Sequence, residues 1–166
     1  MAWTAPRTWS NEVVTAAKWN VDVRDNLRAL KDPPSANYEL NEGSNYTKST
    51  GTGFADIDAT LGKLSLQITT TGGDIMASFT GTLAISDGSL VRLAFSLDGV
   101  TQSVESGLVS TTPITVNLTQ LMTSVAAGSH TINVQWLRSS GTITLYAGAG
   151  TASYDVHPQF WVRELT

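Results

Sequence analysis

Few side chains in this sequence have the type and spacing to do chemistry. There are two histidines, His130 and His157. His157 follows Asp155 by two positions, so both could touch one ion, but two ligands do not make a metal site. The paired histidines with a carboxylate that a metal-dependent enzyme would need on neighbouring strands are absent from the pattern. Asp56-Ile-Asp58 places two carboxylates on one face of a strand, as at the corner of a calcium site. The six or more oxygens that calcium takes would then have to come from loops. Ser49-Thr-Gly-Thr-Gly53 is rich in glycine and hydroxyls but lacks the lysine and the helix of a phosphate loop. There is no cysteine, hence no thiolate nucleophile and no disulfide framework. No acid–base pair, nucleophile or cofactor motif stands out. The expectation is a non-enzymatic protein with no catalytic residues, no metal and no cofactor.

The charges are distributed unevenly. Residues 1–32 carry five bases (Arg7, Lys18, Arg24, Arg28, Lys31) and four acids, whereas residues 33–166 carry five bases and ten acids. A sparsely charged, mildly acidic body rich in Thr and Ser argues against nucleic acid as a partner, because phosphates call for a basic patch. No apolar run reaches the roughly 18 residues of a membrane helix, and no basic-then-apolar leader opens the chain. These features lead us to expect no membrane partner and synthesis in a cytoplasm.

The elements that must position these residues fall into two kinds. Pro6 fixes an extended stretch over residues 3–14 flanked by Trp3 and Trp9, whose indoles need a surface to dock on. Thr15 is placed to cap a helix from Ala16 to Lys31. Ala16, Asn20, Val23, Leu27 and Leu30 repeat at heptad spacing, with Asn20 at an inner position and Trp19 widening the apolar face. Sixteen residues are marginal for a lone helix, which therefore needs a partner. The expected organisation is an anchor arm and helix over 1–32, a stiff linker over 33–37 containing Pro33-Pro34, and a body over 38–166.

In the body the hydrophobic period becomes two. Leu64, Leu66 and Ile68 form one run; Ile75, Ala77, Phe79, Leu83 and Ile85 share a face broken by Gly81. Runs follow at Val91–Leu97, Ile114–Leu118, Ile132–Trp136, Ile143–Leu145 and Phe160–Val162. Short strands are expected near Tyr38–Leu40 and Phe54–Ile57. Turn signals lie at Gly72-Gly73, Asp87-Gly88, Asp98-Gly99, Gly128 and Ser140-Gly141. This pattern predicts a mainly β protein, an antiparallel β-sandwich. Long loops expected at 98–113 and 119–129 favour a jelly roll. In the last strand Phe160 and Val162 face the core. Trp161 and Leu165 face outward, where a subunit interface or the protein's own loops would cover them.

The opening segment resembles a motif found at the start of many small structural proteins of tailed bacteriophages. The resemblance lies in Trp3-Thr-Ala-Pro-Arg-Thr-Trp9, Glu12-Val-Val-Thr-Ala16 and Val23-Arg-Asp-Asn-Leu-Arg-Ala-Leu30. Weaker likenesses to the β-domains attached to that motif lie in Thr70-Thr-Gly-Gly-Asp74, Ser129-His-Thr-Ile132, Gln135-Trp136 and Phe160-Trp-Val-Arg-Glu-Leu165. Lys18-Trp19 departs from the smaller or aliphatic pair often found there. The resemblance implies a virion component, often a homotrimer, tethered by its N-terminus with a jelly roll facing outward: a capsid decoration, head fibre or tail accessory. On this reading Trp3, Pro6, Arg7, Trp9, Trp19, Val23, Leu27 and Leu30 contact another virion protein of the capsid, portal, neck or tail, while Asn20, Trp161 and Leu165 serve self-association. The alternative is a receptor- or carbohydrate-binding module of a phage tail, with Tyr38, Tyr46, Tyr146 or Tyr154 stacking on a host glycan.

Overall fold

In a computed structural model of the chain, the residues described are 15–19, 23–24, 27, 33–149 and 157–165. A short helix, α1 (Ala16–Trp19), begins where the sequence places a helix start. Eleven strands follow: β1 (Ser35–Glu39), β2 (Tyr46–Lys48), β3 (Ala55–Asp56), β4 (Ser65–Thr70), β5 (Gly73–Ile85), β6 (Val91–Leu97), β7 (Val100–Leu108), β8 (Ile114–Val125), β9 (Gly128–Arg138), β10 (Ile143–Tyr146) and β11 (Gln159–Leu165).

All pairings between these strands are antiparallel, and they make two sheets. In the first, β5 pairs β8 along one edge and, along the other, β11 and then β10, with β1 outside β11 and β2 outside β10. In the second, β9 pairs β6 along one edge and β4 and β3 along the other, with β7 outside β6. The main strands thus run β1-β11-β5-β8 in one layer and β4-β9-β6-β7 in the other, which is jelly-roll topology.

Alternation builds the core between the layers. Ile75, Ala77, Phe79, Leu83 and Ile85 are fully buried along one face of β5, opposite Phe95, Ile132 and Val134 of the second sheet. The Phe95 and Phe160 rings stack across the layers at 5.7 Å. Gly81 sits where the face looked broken, and the strand runs straight through it. A Cβ there would lie 2.7 Å from the Phe79 ring, so the missing side chain is the space the ring occupies.

Two expectations need correction. The loops expected over 98–113 and 119–129 are largely strand, β7 and the second half of β8. Asp98 and Gly99 both have positive φ (50° and 82°), as in the tight turn that joins two strands directly. β8 continues past Leu118 with Gln120, Met122 and Val125 buried. The inward Gln120 interrupts the hydrophobic pattern and hides the strand's length. In addition, β1 begins at Ser35, inside the segment read as linker.

The ends of the sandwich differ. At one end the chain comes in at Pro34, whose carbonyl accepts from Glu164 N–H of the last strand at 2.9 Å. The turns at 71–72, 98–99 and 126–127 lie at this end. The far end carries loops 49–53, 86–90 and 139–142.

Candidate functional site

Trp3, Pro6, Arg7, Trp9, Asn20 and Leu30 lie outside the described residues, as do Tyr154, Asp155 and the Trp19 side chain. Of the expected anchor helix, Val23 is half-buried and Leu27 is 59% exposed.

Trp161 and Leu165 lie on the outer face of the first sheet, 38% and 37% exposed. β11 alternates as expected, with Phe160 and Val162 buried. Register sets the neighbours. Trp161 lies between Asn37 and Ser78, and Ser78 is opposite Thr119; Arg163 lies beside Met76, which is opposite Leu121. Leu121 is 49% exposed. Trp161, Met76, Leu121 and Leu165 therefore share this face towards the Pro34 end, interspersed with Arg163 and Asp74. Farther along the same face the side chains bond to one another: Ser78 with Thr119 at 2.9 Å, Thr82 with Thr115 at 3.0 Å, and Asn117 Nδ2 donating to Thr80 Oγ1 at 3.1 Å. Polar groups satisfied within the sheet make the face cheaper to cover.

The carboxylates of Asp56 and Asp58 do not converge on one ion. Asp56 accepts from Asn133 Nδ2 (3.0 Å) and Gln135 Nε2 (2.8 Å). Asp58 accepts from Tyr46 Oη (2.7 Å) and Thr60 N–H (2.9 Å), with Lys63 Nζ at 3.8 Å. Burial works to raise the Asp58 pKa, but the Tyr46 and Thr60 bonds and the Lys63 charge prevail and hold it low. Burial and then Asp58 push the Tyr46 phenol up. Lys63 also binds Glu42 at 2.6 Å. Among the described residues no three acids, histidines or cysteines gather as metal ligands.

Of the tyrosines offered for sugar stacking, Tyr154 lies outside the described residues. Tyr38 and Tyr46 pack against the core, and Tyr146 is half-buried.

His130 Nδ1 lies 2.8 Å from Asp98 Oδ2, and its Nε2 lies 2.9 Å from the Ala126 carbonyl. Both partners are acceptors, so an imidazole making both bonds must carry both protons. The Asp98 bond first, then the Ala126 bond, raise the His130 pKa. His130 thereby ties the β6–β7 turn to the β8–β9 turn. His157 lies 3.2 Å from Glu39.

Glu164 is a residue that motif reading passed over. It is 1% exposed, and its Oε1 accepts from Thr71 N–H (2.8 Å), Thr71 Oγ1 (3.0 Å) and Gly72 N–H (3.0 Å). The alternation Phe160, Val162, Glu164 is the signal that places it inward.

No family model matches the chain, and no curated protein does. Among solved structures it is similar to Eiger TNF from S. frugiperda, at 8% identity over 81% of this chain and 94% of that one, with a TM-score of 0.43. It is similar to infectious bursal disease virus, Gx strain, at 13% identity over 81% of this chain and 38% of that one (TM-score 0.41). A third likeness is to the CBM36-1 domain of a multidomain xylanase from the hindgut metagenome of Trinervitermes trinervoides, at 10% identity over 80% of this chain and 98% of that one (TM-score 0.37). At these scores the likenesses carry nothing about function.

Proposed function

We propose that this protein is a non-enzymatic structural component of a tailed-bacteriophage virion. Residues 1–32 tether it to another virion protein, and its jelly roll faces outward as part of a homotrimer. The observation that carries the reading is the ordered motif from Trp3 to Leu30, joined to a body of jelly-roll topology. Two features of the structure support it. β1 starts and β11 finishes at one end, where the Pro34 carbonyl accepts from Glu164 N–H, so a tether at residue 33 leaves the other end free. The outer face of the first sheet offers Trp161, Leu121, Met76 and Leu165 at its Pro34 end, and these residues suit contact with a second copy of the chain.

The test is to image an intact particle and locate this chain in the map. The reading requires the indoles of Trp3 and Trp9 to be covered by a different polypeptide. Indoles packed against their own subunit's sheets, with no other chain nearby, would overturn it.

A further inference from the structure

The far end of the sandwich holds two cations that pair with no carboxylate among the described residues. Of the five bases in residues 33–166, Lys63 is paired with Glu42. Lys48 and Arg138 bind only backbone carbonyls among the described residues. Lys48 Nζ donates to Gly53 O at 2.9 Å and lies 3.4 Å from Trp136 O. Arg138 Nη1 donates to Gly141 O at 2.5 Å, and its Nη2 donates to Ser49 O. The two side chains thus fasten the two ends of loop 49–53, one at Ser49 and one at Gly53.

Three features go beyond a loop fastening. Asp87, an acid of the same end, turns to Ser89 N–H (3.0 Å) and Ser140 Oγ (2.6 Å) rather than to either cation. Arg138 Nε is buried and has no acceptor among the described residues. The N–H groups of Thr50, Gly51, Thr52 and Gly53 also have no acceptor among the described residues, and all four residues are exposed. Burial first, and then the Arg138 charge, lower the Lys48 pKa. On a body with twice as many acids as bases, this is a local concentration of positive charge and unused donors.

We propose that Lys48, Arg138 and loop 49–53 form a binding site for an oxyanion: a phosphate, sulfate or carboxylate. The cations supply the charge, and the loop's N–H and hydroxyl groups supply direction. The glycines at 51 and 53 let backbone approach the ligand, and Gly51 takes a φ of 71° that favours glycine. The proposal rests on this end of the fold alone and is independent of what residues 1–32 contact.

The test titrates the full-length protein with sodium phosphate, sulfate and acetate, against sodium chloride at matched ionic strength. Backbone amides of residues 50–53 and the Arg138 Nε–H are followed by NMR. The expected result is saturable shifts with at least one oxyanion and only linear, small shifts with chloride. Lys48→Gln and Arg138→Gln should each weaken binding about tenfold, the loss of one charge-assisted bond, with Arg138→Lys in between. Identical behaviour with chloride and all oxyanions would mean screening only and would overturn the site. So would wild-type-like oxyanion affinity in a folded Lys48→Gln/Arg138→Gln double variant. If the variants unfold, the wild-type titration decides by itself.

Discussion

His130 and Glu164 show how single side chains hold the turns at the Pro34 end. The folded state raises the His130 pKa above the usual value of about 6.5. The stability from His130 is therefore complete below about pH 6.5 and is lost as pH rises through the higher folded value. Asp98 behaves oppositely. Burial would raise its pKa, yet the bonds from His130 and from Thr131 N–H hold it low. Its contribution is complete above about pH 4 and is lost as pH falls through the folded value. An NMR titration should place the His130 ring above the usual imidazole value, and His130→Ala should remove the high-pH loss along with about 1 kcal/mol of stability at pH 6. At Glu164 the prediction contrasts two variants. Glu164→Ala strands the Thr71 and Gly72 N–H groups and should cost about 3 kcal/mol by chemical denaturation. Glu164→Gln keeps an oxygen where Oε1 sits and should cost clearly less. Both residues lie inside strings quoted for their likeness, but nothing in those strings assigns either one a partner. His130 was visible only as a strand residue, because its partners Asp98 and Ala126 are separated from it in different ways that spacing does not encode. Glu164 was legible from alternation, had polarity not argued against an inward position.

At the level of elements, the strands with unbroken alternation were readable: β4, β6 and β11 lie where their hydrophobic runs lie. β7 and the later part of β8 were not. Both are edge strands, and edges keep polar residues on the solvent face. The inward Gln120 then removes the remaining signal from β8. The short β2, at Tyr46–Lys48, has too few residues to show a period. Gly81 could be seen as a break but not as a seat for Phe79. Gly81→Ala should therefore destabilise by about 1–3 kcal/mol through displacement of that ring, measured against a Gly53→Ala control that meets nothing within 4 Å. The outer face of the first sheet makes a separate prediction. Leu121→Asp with Trp161→Ser should leave the single chain folded, with the far-ultraviolet spectrum of a β protein, because both side chains are substantially exposed in it. If the face covers a second copy, sedimentation should show the double variant shifted from trimer to monomer. A trimer retained in full would remove this face from the assembly.

For the whole molecule, a sparsely charged β-sandwich was legible from composition and period, and the jelly-roll order β1-β11-β5-β8 over β4-β9-β6-β7 supplies what periodicity cannot: which strands meet. Pairing over long sequence separations, such as β1 with β11, leaves no mark in local spacing. The same order gives the molecule two unlike ends. At one the described chain enters at Pro34, and the other displays Lys48, Arg138 and loop 49–53. A tether at the first and an exposed second end are the core of the functional proposal. The most direct measurement is incorporation of a chain lacking residues 1–31 into particles made without the wild-type copy, read as copies per particle. The proposal predicts a folded body with the far-ultraviolet spectrum of a β protein and almost no copies on the particle. Full occupancy by the truncated chain would contradict it.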